Sequence, residues 1–218
     1  PQQIILGLLL STSFISAWVS NTATAAMMVP IALAVLKVVR STREDLPIDR
    51  AEHNFGVCVL LAVAYGASLG GVLTLIGTPP NGIFARFVEQ TYNVSVSFID
   101  WMLIAFPIVV VMIAATQLLM TKVLFRELVS ELPGGKDWVM HEYSKLGPMS
   151  RGEKIVLTVF VTAALLWCFG PVIRGIQIGD MTPFKPLSDT VIAMGAGIIL
   201  FIIPVDYKRG VHALDWSS

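Results

Sequence analysis

Residues 4–39, IILGLLLSTSFISAWVSNTATAAMMVPIALAVLKVV, form an apolar run with one polar joint at its centre, Ser20-Asn21-Thr22. Each half is short. A spanning helix needs roughly 20 apolar residues to cross about 30 Å of hydrocarbon, so neither arm crosses comfortably. A helix break in lipid leaves backbone amides and carbonyls without water, which is tolerated only beside protein or a wet cavity. The stretch therefore predicts a re-entrant helical hairpin with its tip at membrane depth. Asn21 supplies an amide, Ser20 and Thr22 supply hydroxyls, and a second arm starting at Thr22 or Ala23 aims its free N–H groups at the tip. Such a helix N-terminus carries about half a positive charge and suits an anion. The same oxygens, with Ser16 one turn earlier, suit a small cation equally well. A plain turn between two helices, with Ser or Asn as N-cap, is the competing reading.

Composition sets the class. Hydrophobic residues make up 55% and charged residues 14% of the 218, with mean hydropathy +0.75, which is membrane rather than soluble-core composition. Cys58 and Cys168 both lie in apolar runs, so no disulfide framework is implied. The chain begins at Pro1, without an initiator Met, a basic leader or a cleavage site. It reads as an internal piece of something longer, and its apolar start is not a signal peptide.

Beyond the hairpin, residues 37–54 are a charged connector, and 55–88 read as a second discontinuous helix. Its apolar, Gly-rich half runs to Ile76, the break is Gly77-Thr78-Pro79-Pro80-Asn81, and the second half begins at Gly82. Two consecutive prolines remove two donors and push the preceding residues out of helical conformation. A clean span follows at 99–125, then a polar loop at 126–152 and two further spans at 153–173 and 188–205. The domain expectation is accordingly 1–125 as part of a transport domain, 126–152 as a cytoplasmic loop and 153–218 as the start of another scaffold.

Charge orients these spans. If the hairpin returns to its own side, the loops at 37–54 and 122–154 and the tail after 205 carry twelve Lys and Arg, while the other side has Arg86, Arg174 and Lys185. That positive-inside bias opens the hairpin from the cytoplasm, although two full spans in 4–39 share the parity. The sequon Asn93-Val94-Ser95 falls in an outside loop, where chance accounts for it. No Lys, Arg, Asp or Glu lies in the core of the spans, so a proton relay has no carrier. His53, His141 and His212 lie in predicted loops. Neither a nucleophile with its base, a metal-ligand spacing nor a phosphate-cradling loop is present, so an enzyme and a nucleic-acid partner are both disfavoured.

Transporters build midplane sites from discontinuous helices, whose N-termini face anionic groups while unwound carbonyls and hydroxyls hold sodium. Here Gly77 offers a carbonyl and Thr78 and Asn81 offer side chains, all hard oxygen donors that suit sodium. Gly66, Gly70 and Gly71 read as close helix packing of the small-xxx-small type.

These residues resemble a known family. Ser20-Asn21-Thr22 after a short arm, then Gly70-Gly71, Thr74 and Gly77-Thr78-Pro79-Pro80-Asn81, look like the first repeat of the divalent anion/sodium symporter family, which carries dicarboxylates, citrate or sulfate. The stretches Leu187-Ser188-Asp189, Pro204-Val205-Asp206 and Ala213-Leu214-Asp215-Trp216 are similar to the approach to its second repeat. The resemblance implies an all-α, polytopic membrane protein with a re-entrant hairpin and a discontinuous helix, one half of an inverted-repeat transporter. It implies a sodium site of Ser16, Ser20 and Asn21 by side chain and Gly77 by carbonyl. It also implies an anion site at Ser20, Asn21 and Thr22, flanked by Thr78 and, from the break, Asn81. A homodimer and an elevator-type movement follow from the same resemblance, as does an inner-membrane location. The second Ser-Asn-Thr of such a transporter does not occur in the 218 residues, so this stretch is expected to hold half a binding site. The alternatives are a related arsenite or proton/citrate carrier, or a non-transporting membrane subunit whose breaks are packing kinks.

Overall fold

The computed structural model describes residues 1–41, 47–129, 140, 144, 147–177, 182–206 and 211–214. The chain forms two compact units, Pro1–Lys136 and Asp137–Ser218, and the cut falls inside the polar segment 126–152. Arg43, Lys136, His141, Lys145, Lys208, Arg209 and the pair Asp215-Trp216, all used in the sequence reading, lie outside the described residues.

The first unit holds α1 (Gln2–Ser16), α2 (Asn21–Ser41), α3 (Arg50–Val72), α4 (Pro79–Tyr92) and α5 (Phe98–Leu118), which runs on as a π-turn over Leu119–Leu124. Helix starts are written in the sequence. Asp49 accepts from the Glu52 amide at 2.7 Å to begin α3, and Ser97 and Asp100 form a capping box at α5. Pro107 sits inside α5 without ending it.

α1 lies along α3 with almost no side chain between them. A Cβ on Gly70 would collide with the Ser13 backbone, and one on Gly66 would come within 2.9 Å of the Leu9 carbonyl and Thr12. Gly66 and Gly70 therefore do serve close packing, as expected. Around this seam Ile5, Leu9, Phe55, Val59 and Val63 are fully buried, with Met28 and Ala32 of α2 completing the core. The outer face of α5 is the reverse of a soluble protein, with Leu103, Ile104, Phe106 and Val111 all exposed.

The open end of the hairpin meets the polar ends of α3 and α5. Arg40 pairs with Glu52 at 3.5 Å, Arg50 with Glu127 at 4.0 Å, and Asn54 Nδ2 donates to the Glu127 carbonyl at 3.0 Å. The end of α2, the start of α3 and Glu127 thus lie together at one end of this unit. At the other end Trp18 stacks on Phe98 and Trp101 Nε1 donates to the Val72 carbonyl at 2.9 Å. The tip is level with the end of α3 and the start of α5.

The second unit holds α6 (Arg151–Arg174), opened by a Ser150–Glu153 capping box, and α7 (Asp189–Ile202), capped by Ser188. Arg174 donates to Asp189 Oδ1 and to the Leu187 carbonyl, both at 3.1 Å, tying the end of one helix to the start of the other. A short antiparallel ribbon, β1 (Pro204–Asp206) with β2 (Val211–His212), follows.

Three expectations need correction. The break lies at residues 73–78, not 77–81, because Pro79 and Pro80 occupy the first positions of α4, where a missing N–H is harmless. The last apolar stretch is a helix of 14 residues rather than a span over 188–205, since Pro204 holds Ile203 in extended conformation. The second arm begins at Asn21 and runs 21 residues, through Lys37 and Arg40. Among the described residues four helices, α2, α3, α5 with its π-turn, and α6, are long and apolar enough to cross a membrane.

Candidate functional site

The site grows from two helix ends that lack partners for their own backbone groups. α1 stops at Ser16, and residues 17–20 turn the chain into α2. α3 stops at Val72, leaving its last carbonyls without helical donors. Side chains from elsewhere take up carbonyls of this last turn and of the break, and one more from inside α3. Ser16 Oγ lies 2.6 Å from the Ala67 oxygen, Asn81 Nδ2 donates to the Gly71 and Thr74 oxygens at 2.8 Å each, and Trp101 takes Val72. The Leu73 amide closes back on Gly70 at 2.9 Å.

At the centre three oxygens meet. The buried Ser16 Oγ is 2.8 Å from Asn21 Oδ1 and 2.6 Å from the Ala67 carbonyl. A hydroxyl has one proton and can give it to only one of them at a time. The cluster therefore has more acceptors than donors, the arrangement that a small hard cation completes. A hydroxyl, an amide oxygen and a backbone carbonyl are all neutral, so the donors here carry no formal charge.

Asn21 is seated by a missing side chain. A Cβ on Gly71 would overlap Asn21 Oδ1, and a Cβ on Gly77 would come within 2.6 Å of the Gly71 carbonyl. The tip, the last turn of α3 and the break thus stack in contact through two glycines. Thr74 crosses from one to the other: its hydroxyl donates to the Ala17 carbonyl and accepts from the Gly77 amide at 3.1 Å.

The residues read from the sequence fall into two groups. Ser16, Asn21, Gly77 and Asn81 are drawn together, with Ser16, Gly77 and Asn81 buried and Asn21 half-buried. Ser20 and Thr22 are exposed on the tip, where Ser20 Oγ accepts from the Ala23 amide at 3.4 Å. Thr78 is half-buried, with extended backbone, at the head of α4. Both donors of Asn81 are spent, one on the Gly71 carbonyl in the last turn of α3 and one on the Thr74 carbonyl of the break. The Ala67 carbonyl and the seat at Gly71 were not legible as site groups, because an alanine carbonyl carries no sequence signal. The Gly70-Gly71 pair was the one available hint.

Comparison with known proteins follows the same lines. The profile described as "Sodium:sulfate symporter transmembrane region" matches residues 2–217. The sodium-dependent dicarboxylate transporters SdcS of Staphylococcus aureus strains USA300, NCTC 8325 / PS 47 and COL are each 34% identical over 216 residues, 99% of this chain and 41% of theirs. The chain therefore spans about two fifths of the length of these relatives. It is an all-helical, multi-pass integral membrane protein apart from its short ribbon, and by its near-complete match it belongs to the sodium:sulfate symporter family.

Proposed function

We propose that the intact protein carrying this chain is a secondary transporter that couples sodium to the passage of a small divalent anion, a di- or tricarboxylate or sulfate, across the cell membrane. The observation that carries the proposal is the cluster of Ser16 Oγ, Asn21 Oδ1 and the Ala67 carbonyl, three oxygens sharing one proton beside the break. Sodium is cargo at this point, held by those groups together with Ser20 and the Gly77 carbonyl.

The anion is placed on the exposed side of the tip, at Ser20, Asn21 and Thr22, where the first amides of α2 and its partial positive charge favour it. α4 is the poorer N-terminus for direct contact, because Pro79 and Pro80 have no N–H to offer. Thr78 flanks the anion, and Asn81 serves it by holding the break. Sodium beside the tip screens the anion's charge, so binding of each favours the other.

The first arm supports re-entrance: the fifteen-residue α1 rises about 22 Å, against about 30 Å of hydrocarbon, while the 21-residue α2, long enough to cross, carries Lys37 and Arg40 in its last two turns. Residues 1–125 then belong to the moving domain of an elevator, 126–152 to a cytoplasmic loop and 153–218 to the start of a second repeat. The other half of the site, and the homodimer, come from the rest of the protein. In proteoliposomes, labelled succinate, citrate or sulfate should accumulate when an inward sodium gradient is imposed and not with potassium. Asn21→Ala should lose that uptake while the protein still inserts. Uptake indifferent to sodium, or an active Asn21→Ala, would refute the proposal.

A further inference from the structure

We infer that Thr74 is the positioning residue that makes the hairpin tip and the helix break act as one sodium site. The inference rests on the reading of Ser16 and Asn21 as sodium ligands, and adds a residue that touches neither ion nor anion.

Thr74 is fully buried, and both functions of its hydroxyl are committed. The Gly77 amide can only donate, so its bond, shared between Oγ1 at 3.1 Å and the Thr74 carbonyl at 3.3 Å, takes a lone pair of Oγ1. The single proton of Oγ1 is therefore free for Ala17, whose carbonyl accepts it. Ala17 is the C-cap of α1, one position after Ser16, and Gly77 sits against the Gly71 carbonyl, on the residue that seats Asn21. One hydroxyl thus fixes the peptide next to each half of the site. Each bond polarises the other, because an oxygen that accepts from Gly77 is aligned to donate to Ala17.

Five hydroxyls inside helices do something different. Ser13, Ser68, Thr121, Thr158 and Thr162 each donate to the carbonyl four residues earlier, which satisfies a hydroxyl in an apolar setting without joining anything. Thr74 instead reaches 57 residues back along the chain. Its partners at both ends are backbone groups, so the link does not depend on which side chains hold the ion.

The test uses the full-length protein in proteoliposomes, measuring the sodium concentration for half-maximal anion uptake and the maximal rate separately. Thr74→Val keeps shape and removes both bonds; Thr74→Ser keeps both. We expect Thr74→Val to raise the sodium requirement about tenfold or more with a smaller change in maximal rate at saturating sodium, and Thr74→Ser to restore the wild-type value. A sodium-induced rise in melting temperature in detergent should shift in parallel. If Thr74→Val gives no folded protein, Thr74→Cys, a weak donor and acceptor, should fall between Ser and Val. Thr74→Val, or Thr74→Cys in its place, with a wild-type sodium requirement overturns the inference. So does Thr74→Ser as impaired as Thr74→Val, which marks a packing role. Ser16→Ala separates the two readings: if it alters sodium dependence while Thr74→Val does not, only the coupling role falls. If neither alters it, the sodium site itself is misplaced.

Discussion

Replacing Gly71 with Ala probes the seat of Asn21 with the smallest available change. The added Cβ would overlap Asn21 Oδ1, so the amide must leave its place beside Ser16 or α2 must shift. Overpacking of a well-packed site costs about 1–3 kcal/mol, which corresponds to roughly 5- to 150-fold in an affinity. The group that has to move is the proposed sodium ligand, whereas the core around Phe55 and Val59 keeps its packing. The loss should therefore appear in the sodium concentration for half-maximal uptake by reconstituted full-length protein, with far less change in melting temperature measured without sodium. Gly7→Ala and Gly82→Ala are matched controls, since a Cβ at either position meets nothing within 4 Å. Both should transport normally and gain up to about 1 kcal/mol of helix stability. A Gly71→Ala protein whose sodium requirement stays within about twofold of wild type would show that Asn21 is not held against α3, and the reasoning would fail.

Two further substitutions examine the scaffold behind the site. Asn81→Asp exchanges the donor that holds the Gly71 and Thr74 carbonyls for an oxygen that repels them, so stability in detergent should drop by about 2 kcal/mol or more, readable as a lower melting temperature. Trp101→Phe preserves an aromatic edge for Phe84, 6.0 Å away between ring centres, but leaves the Val72 carbonyl without its donor. It should cost about 1–3 kcal/mol if that carbonyl stays dry, and a melting temperature equal to wild type would show that water replaces the indole.

The parts of the fold that the sequence revealed are those where lipid makes a local choice expensive. Ser20-Asn21-Thr22 stood out because a polar joint in hydrocarbon needs partners, and Gly66 and Gly70 because only small residues let two helices touch. The capping residues Asp49, Ser97, Ser150 and Ser188 mark helix starts for equally local reasons. The edges of the break were misjudged by several residues for a non-local reason. Prolines end the structure before them, but where α3 actually stops is decided by Asn81, Trp101 and Thr74 taking its carbonyls and bridging to the hairpin, partners 10, 29 and 57 residues apart in sequence. The last apolar stretch was overrun for the opposite reason, a single Pro204 whose local effect was given too little weight. Within the candidate site, Ser16 and Asn21 stand out in the sequence because their oxygens suit a cation, and the Ala67 carbonyl that they meet does not, because backbone groups look alike in every sequence.

The most direct test of the sodium site is an experimental structure of the full-length protein determined with sodium and again with the ion replaced by choline. With sodium present, density for an ion should lie about 2.4 Å from Ser16 Oγ and Asn21 Oδ1, a separation usual for hard cations of this size with oxygen ligands, and should vanish in choline. Density absent from the tip in both structures, or an ion held elsewhere with Ser16 and Asn21 still bonded to each other, would contradict the account.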